Sequence, residues 1–308
     1  MFSRFFSGSD TQIAMRVSVQ TILLNAVLSL GKLLAGLIAH SGAMISDAVH
    51  SASDVLSTIL VMIGVRMSSK ASDRSHEYGH ERMECVVAIL LAMMLLLTGA
   101  GIGFVGIRNI VSGTHGTLTA PGALALWAAV ISIVVKEAMF WYTRAAAKKT
   151  NSGALMADAW HHRSDALSSI GSFIGIFGAR LGFPILDPIA SIIICLFIIK
   201  VSVDIFRDAI DKMIDKSCDA ATEEKMRQLV LAQDGVYQVD LLQTRLFGNK
   251  LYVDLEISAD GALPLTQAHR IAENVHDVIE SQYPIVKHCM VHVNPLKLQN
   301  FDYPQKEA

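Results

Sequence analysis

Two stretches of the chain share one pattern: SDAVHSASDVLSTI at residues 46–59 and ADAWHHRSDALSSI at residues 157–170. Aligned without a gap, they are identical at eight of fourteen positions, including an Asp, a His and a second Asp. The His and the second Asp are four residues apart, so on a helix they lie on one face. Both stretches lie within long apolar segments, where ionisable side chains are costly and usually functional. The pattern therefore predicts two helices that carry functional polar groups inside a membrane.

The matching positions predict a metal site made from four side chains: His50, Asp54, His161 and Asp165. Two His and two Asp that converge from two helices would ligate one divalent transition metal. A single His or Asp in an apolar segment is more often a hydrogen-bonded core residue, but the same spacing recurs here in two segments. Asp47 and Asp158 lie three residues before the histidines. They either orient the imidazoles as hydrogen-bond acceptors or join neighbouring helices, and the sequence favours neither reading.

Composition indicates a membrane protein with a soluble tail. The 308 residues are 52% hydrophobic and 18% charged, whereas a soluble protein carries about 25% charged residues. Charged residues are sparse before about residue 200 and dense after it. The net charge of −2 and the absence of a basic stretch argue against a nucleic-acid partner. The cysteines form no CxxC pair and are expected to be reduced packing residues: Cys85, Cys195, Cys218 and Cys289.

Six segments are expected to cross the bilayer, which needs about 20 residues per helix. They cover approximately residues 11–38, 42–65, 85–107, 121–142, 154–181 and 188–203. No cleavage site follows the first apolar segment, so we expect it to remain as a helix. These segments define a transport domain over residues 1–208.

The distribution of Lys and Arg predicts that both termini face the cytoplasm. The alternate loops offer only Arg108 and Arg180. The basic residues that follow the second and fourth segments are more numerous: Arg66, Lys70, Arg74, Arg82, Arg144, Lys148 and Lys149. The two motif helices then run in opposite directions, because three spans separate them. This arrangement is typical of inverted repeats with a site near the membrane midplane. Convergence on one ligand geometry would produce a similar pattern.

Residues 209–308 are predicted to form a small α-β-β-α-β domain. Residues 222–234 and 265–283 are expected to be helices, with Thr222 or a neighbour capping the first. Residues 236–246, 251–257 and 287–293 have the pattern of strands, and Phe247–Lys250 would form a hairpin turn between the first two. A domain of about 90 residues is marginally stable alone and would gain stability from dimerisation.

Together, the paired HxxxD motifs, the six spans and the α-β-β-α-β tail resemble the cation diffusion facilitator family. The resemblance covers nearly the whole chain. It implies a homodimeric, proton-coupled exporter of zinc and related divalent metals in the cell (inner) membrane. The cytosolic tail would be a metallochaperone-like domain for dimerisation and metal sensing. The transport site would consist of His50, Asp54, His161 and Asp165, and some members have Asp at the position of His50, which is thought to tune metal choice.

The resemblance also implies two further metal sites. The loop after the second helix carries Asp73, His76 and His80, which are similar to a peripheral loop site of the family; a solvated loop is the simpler alternative. The tail positions that match the family's inter-subunit ligands are Asp240, Asp254, His269, His292 and Asn294. Asp at the first two positions and Asn at the last favour an oxygen-rich, weaker site over a binuclear zinc site. His276 and His288 are expected to be ordinary surface residues.

Zinc is the favoured cargo because it prefers tetrahedral nitrogen and oxygen ligands. Manganese, ferrous iron, cobalt and cadmium remain open, because the order of metal affinities alone does not fix the cargo. We expect no catalytic cofactor and no enzymatic activity. An intramembrane metal-dependent hydrolase would need an open coordination position and a general base. No HExxH motif occurs within the predicted membrane segments; the match HEYGH at residues 76–80 lies in the loop between the second and third segments. A metal-responsive membrane scaffold would keep the tail but would not need four intramembrane ligands.

Overall fold

The computed structural model describes residues 9–38, 42–112, 123–180 and 186–296. The chain divides into two compact units, Met1–Ile210 and Asp211–Ala308. In the described part of the first unit, the backbone forms the predicted series of six long helices. They are α1 (Asp10–Ile38), α2 (Gly42–Ser68), α3 (Met83–Ser112), α4 (Ala123–Thr150), α5 (Gly153–Arg180) and α6 (Leu186–Met213).

The helical unit exposes large apolar side chains and buries several polar ones within an apolar core. Leu97, Phe104 and Val111 lie seven residues apart along α3 and are 70%, 68% and 82% exposed. Polar side chains are also buried between the helices, among them Ser18, Thr21, Asn25, Ser51 and Thr58. By length and composition alone, two described stretches, Asp10–Leu34 and Met83–Ser112, are apolar enough to span a membrane. A large exposed apolar surface with polar groups turned inward is what a lipid environment favours.

Two helices extend beyond the limits predicted from hydropathy. The fourth span was expected to end near residue 142, but α4 continues to Thr150. The sixth was expected to end near residue 203, but α6 continues to Met213. Hydropathy marks only the apolar part of a helix, whereas the added residues, such as Ala145–Ala147, have high helix propensity and extend the backbone hydrogen bonding.

Helices α4 and α5 form a tight hairpin. Only Asn151 and Ser152 separate them, and Asn151 adopts a φ of 51°, which Asn tolerates better than most residues. The Ser152 amide donates to the carbonyl of Ala147 at 3.0 Å, and the Leu155 amide donates to the Ser152 hydroxyl at 3.2 Å. The two helices pack against each other, so their side chains face one another over a short sequence distance.

The second unit has the predicted α-β-β-α-β order. Its elements are α7 (Ala220–Leu231), β1 (Gln238–Phe247), β2 (Lys250–Asp260), α8 (Leu265–Gln282) and β3 (Val286–Leu296). Strand β1 pairs antiparallel with β2 through a turn in which Gly248 has a φ of 64°. Strand β3 pairs parallel with β2 on its other edge. Met226 and Val230 of α7 and Val275 and Ile279 of α8 are buried with the strand side chains in one apolar core.

The cap of α7 is Asp219, three residues before the predicted Thr222. The Asp219 carboxylate accepts hydrogen bonds from the Thr222 amide at 3.0 Å and from the Thr222 hydroxyl at 2.7 Å. These bonds lower the pKa of Asp219, and the ionised carboxylate is favoured at the positive end of the helix dipole.

Close packing of α2 against α3 requires a glycine at position 64. A Cβ atom there would lie 2.6 Å from Val87 Cγ2 and 2.9 Å from Val87 Cβ. Valine is stiff at χ1 and cannot turn away easily. At Gly101 of α3, by contrast, a Cβ atom would have no described neighbour within 4 Å outside its own helical turn.

We therefore expect Gly64→Ala to lower the free energy of unfolding by about 1–3 kcal/mol, the usual cost of overpacking. Gly101→Ala is the matched control and should leave stability unchanged or raise it by up to about 1 kcal/mol through helix propensity. Thermal unfolding of both purified variants in one detergent measures the difference. Equal stability of the two variants would contradict the close contact at Gly64.

Candidate metal transport site

The two motif helices bring three of the four predicted ligands together. Asp54 of α2 and His161 and Asp165 of α5 each offer one ligand atom, and these atoms lie within 4.8 Å of one another. The Nε2 atom of His161 is 3.4 Å from Oδ1 of Asp54. The three residues are only 2%, 7% and 7% exposed. One nitrogen and two carboxylates at these distances are a ligand set that a divalent cation can take.

The fourth predicted ligand, His50, and the neighbouring Asp47 lie on the backbone of α2. Their side chains are outside the described part of the structure. One helical turn separates residue 50 from Asp54, so the backbone is compatible with a shared face. The complete set of two His and two Asp stays a prediction.

Lys136 of α4 lies at the centre of this cluster. Its Nζ atom donates to Oδ2 of Asp54 at 2.5 Å and to Oδ2 of Asp165 at 3.0 Å. The residue is 2% exposed. One ammonium group thus bridges the two carboxylates and joins α2, α4 and α5.

The sequence motifs give Lys136 no role at the site. It lies at the midpoint of the 28-residue α4. A lysine among apolar residues of a membrane helix is a functional signal in itself. Its partners follow only from the packing of three helices, which the sequence does not show.

Asp158 lies beside the cluster and faces a histidine that the sequence pattern did not single out. Both Asp158 and His162 are fully buried, and His162 Nε2 is 3.5 Å from Asp158 Oδ2. The Thr58 hydroxyl donates to Asp158 Oδ1 at 3.3 Å, which links α5 to α2. This hydrogen bond joins two neighbouring helices, which is one of the two roles considered for Asp158. The other role, orienting His161, stays a prediction.

Arg163 fixes the packing of α4 against α5. Its guanidinium lies 3.5 Å from Oε1 of Glu137. The same group lies 4.3 Å from the ring centre of Phe140 and 5.6 Å from that of Trp160, within the range of cation–π attraction. Glu137 also accepts a hydrogen bond from Trp141 Nε1 at 3.0 Å. This cluster holds the backbone next to Lys136.

Comparison with known proteins assigns the family. Residues 18–214 match the cation efflux transmembrane domain, and residues 218–296 match the cation efflux protein cytoplasmic domain. The chain belongs to the cation efflux (cation diffusion facilitator) family. The predicted family and fold class are therefore confirmed: a helical transmembrane domain is followed by a cytoplasmic α/β domain. The family members are membrane transporters of divalent metals, not enzymes, so the hydrolase alternative is wrong.

Two relatives and one solved structure illustrate the similarity. Metal tolerance protein C1 of Arabidopsis thaliana is 34% identical over 284 residues, which cover 88% of this chain and 60% of that protein. Manganese efflux system protein MneP of Bacillus subtilis (strain 168) is 32% identical over 291 residues, which cover 92% and 97%. The cadmium form of a MamM C-terminal domain variant is 20% identical with a TM-score of 0.25, covering 25% of this chain and 98% of that one.

In this cation efflux protein, the loop between α2 and α3 brings Asp73, His76 and His80 together. Asp73 Oδ1 is 3.3 Å from His76 Nδ1, and Asp73 Oδ2 is 3.5 Å from His80 Nε2. Lys70 donates to Asp73 Oδ2 at 2.7 Å, and the Ser75 hydroxyl donates to Oδ1 at 2.8 Å. These hydrogen bonds, that of Lys70 first, hold the pKa of Asp73 well below its usual range. The loop offers an ionised carboxylate and two imidazoles to an ion, in competition with Lys70.

The five predicted tail positions are spread along the sheet and α8. Asp240 Oδ2 accepts from the Ser258 hydroxyl at 2.7 Å and from Asn294 Nδ2 at 3.0 Å. His269 lies 3.4 Å from Glu273 on the exposed side of α8. Asp254 and His292 lie on β2 and β3, where the register pairs them with Met290 and Glu256. Within the described part of one chain, the tail contains no cluster of three metal-ligating groups. The inter-subunit site therefore stays a prediction.

His276 of the tail is not an ordinary surface residue, because it joins α8 to β3. Its Nδ1 atom is 2.7 Å from the carbonyl oxygen of Cys289, and its Nε2 atom is 3.3 Å from Glu280 Oε1.

Burial, together with the charge of Glu280, raises the pKa of Cys289 to about 12. This thiol is protonated at neutral pH, as suits a packing residue.

The cluster of Asp54, His161 and Asp165 is buried and the loop cluster is more exposed, so we expect the buried cluster to matter more for transport. Asp54→Ala or Asp165→Ala should reduce metal transport by more than about 100-fold, beyond the loss typical of a supporting residue. His76→Ala should slow transport only a few-fold, since a water-exposed loop site would supply ions to the buried cluster without carrying them across the membrane. Metal flux in proteoliposomes, at equal amounts of folded protein, measures all three. A similar loss in all three variants would show that the ranking is wrong.

Proposed function

We propose that this chain exports divalent transition-metal cations from the cytoplasm in exchange for protons, through a site made of His50, Asp54, His161 and Asp165. The observation that carries the proposal is the buried meeting of Asp54, His161 and Asp165 from two helices. A buried carboxylate pair without a cation is strongly unfavourable. The cluster therefore suits an ion that enters and leaves together with a compensating charge.

The ligand chemistry supports exchange with protons. Two carboxylates neutralise one divalent ion, while neutral imidazoles add nitrogen ligands without further charge. Metal binding requires deprotonated imidazoles, so loading the site releases protons from them and unloading takes protons up. Protons and metal then compete for the ring nitrogens.

Zinc is the first proposed cargo because two nitrogen and two oxygen ligands suit its tetrahedral preference. Manganese is the second, because a relative that matches 92% of this chain is named a manganese efflux system protein. Oxygen ligands suit manganese better than nitrogen ligands do. Iron, cobalt and cadmium remain alternatives within the same mechanism.

The membrane topology fits export from the cytoplasm across the cell (inner) membrane. With the tail in the cytoplasm, as its domain family indicates, the basic residues after α2 and at the end of α4 also lie on the cytoplasmic side. We propose that both termini are cytoplasmic and that the tail forms a homodimer. The loop cluster would bind metal weakly near the cytoplasmic entrance.

Proton coupling predicts that an imposed pH gradient drives the metal. In vesicles loaded with Zn²⁺ or Mn²⁺, outside acidification should accelerate metal release and produce counter-movement of protons. A dye for each ion measures both fluxes, and vesicles with Asp165→Ala serve as the control. Metal flux that is constant between about pH 5.5 and 8, where histidine titrates, would exclude this coupling.

His50→Asp tests the predicted fourth ligand. The change replaces an imidazole nitrogen with a carboxylate oxygen and adds one negative charge. Because manganese accepts oxygen-rich shells more readily than zinc, the ratio of manganese to zinc flux should rise. Competitive flux of the two ions in wild type and variant, at one pH, provides the measurement. An unchanged ratio, together with complete loss in Asp54→Ala, would remove position 50 from the ligand set.

A further inference from the structure

We propose that the Lys136 ammonium is a tethered cation that fills the transport site when no metal is bound, and that the cargo must displace it to bind. This inference rests on the proposed transport site and adds to it a residue that sets metal affinity. Lys136 is not counted among the ligands, because a protonated amine has no lone pair to offer a metal.

Geometry makes the ammonium and the metal mutually exclusive. The Nζ atom lies 2.5 Å from Asp54 Oδ2 and 3.0 Å from Asp165 Oδ2. A zinc ion bound by those oxygens would lie about 2.0–2.2 Å from each of them. Its position would overlap that of the nitrogen. The same two oxygen atoms therefore hold either the lysine or the ion.

Charge balance leads to the same conclusion. With Lys136 between them, the two buried carboxylates and the ammonium carry one net negative charge. If the ammonium stayed while a divalent ion entered, two cations would lie against the same pair of oxygens and repel each other strongly in a low-dielectric interior. Displacement of the lysine leaves the two carboxylates neutralised by the metal alone. The ammonium thus protects the empty site and opposes the loaded one.

Contacts next to Lys136 hold its helix in place. Glu137, Phe140 and Trp160 all contact or face Arg163, which fixes α4 against α5. Lys136 itself has a flexible four-carbon side chain. We therefore expect the metal to displace the head of this side chain and not the helix.

Displacement raises the dissociation constant of every cargo ion by a similar factor. Ions that bind the ligands strongly still enter, whereas ions with weak affinity for imidazole, such as Mg²⁺, fall below the threshold for binding. The tether would therefore help to exclude an abundant ion without contacting it.

Metal titration of the purified full-length protein tests the proposal, with Zn²⁺ and Mn²⁺ as the probes. Lys136→Met removes the competing charge at similar side-chain length, so the dissociation constant of the metal should fall about tenfold or more. This factor corresponds to the free energy of one charge-assisted hydrogen bond. Lys136→Arg should weaken metal binding, because a guanidinium pairs with carboxylates in a bidentate way and is harder to displace. Lys200→Met, at an exposed position of α6, is the matched control and should bind metal like the wild type.

Transport of the same variants separates this role from a structural one. For Lys136→Met, the metal concentration at half-maximal flux should fall and the maximal flux should also fall, because the site releases its ion slowly. A lysine that only holds the helices together would reduce the maximal flux without tighter binding. That result would overturn the proposal.

A variant that fails to fold and a wild type that fails to bind metal lead to different conclusions. If Lys136→Met does not fold, Lys136→Arg decides: weaker binding supports the tether, and equal or tighter binding refutes it. If the wild type neither binds nor transports metal, the proposed function fails. If the wild type transports metal, Asp54→Ala is inactive and Lys136→Met binds no more tightly, only the tether is wrong.

Discussion

The pairing of one ammonium group with two carboxylates is the constraint on which the helical unit depends. Asp54 and Asp165 are buried on different helices, and two anions at this depth repel each other and lack water. Lys136 supplies the missing charge from a third helix. The packing of α2, α4 and α5 therefore depends on the charges of these three side chains.

The peripheral loop repeats this chemistry under milder conditions. Asp73 is held by Lys70 in water-exposed surroundings, just as the buried carboxylates are held by Lys136. An exposed ion pair contributes little and is screened by salt, so a metal can replace Lys70 at low cost. Burial makes the same replacement far more consequential in the transport site. One pattern, a lysine paired with carboxylate next to histidine, therefore occurs in two settings that differ in burial.

The sequence predicted the features that depend on local pattern. The repeated His and Asp spacing identified three residues that meet in space, and alternation and turn residues identified the order of the tail. It missed contacts that depend on long-range packing. Lys136 approaches Asp54 across 82 residues, a contact that no local pattern in the sequence marks. The cap at Asp219 was missed for a local reason, since several polar residues compete to begin that helix.

The short Asn151–Ser152 connection has a consequence for how the protein enters the membrane. Lys136 and Asp165 lie on the two arms of one hairpin, as do Glu137 and Arg163. A charged side chain that enters a bilayer alone costs about 2.5–3.5 kcal/mol on insertion scales. When α4 and α5 insert together, each of these charges has an opposite partner within the hairpin itself. During biogenesis, these four side chains can therefore enter the lipid as two neutral pairs, and Lys136 then also reaches Asp54 of α2, which precedes the hairpin in the chain.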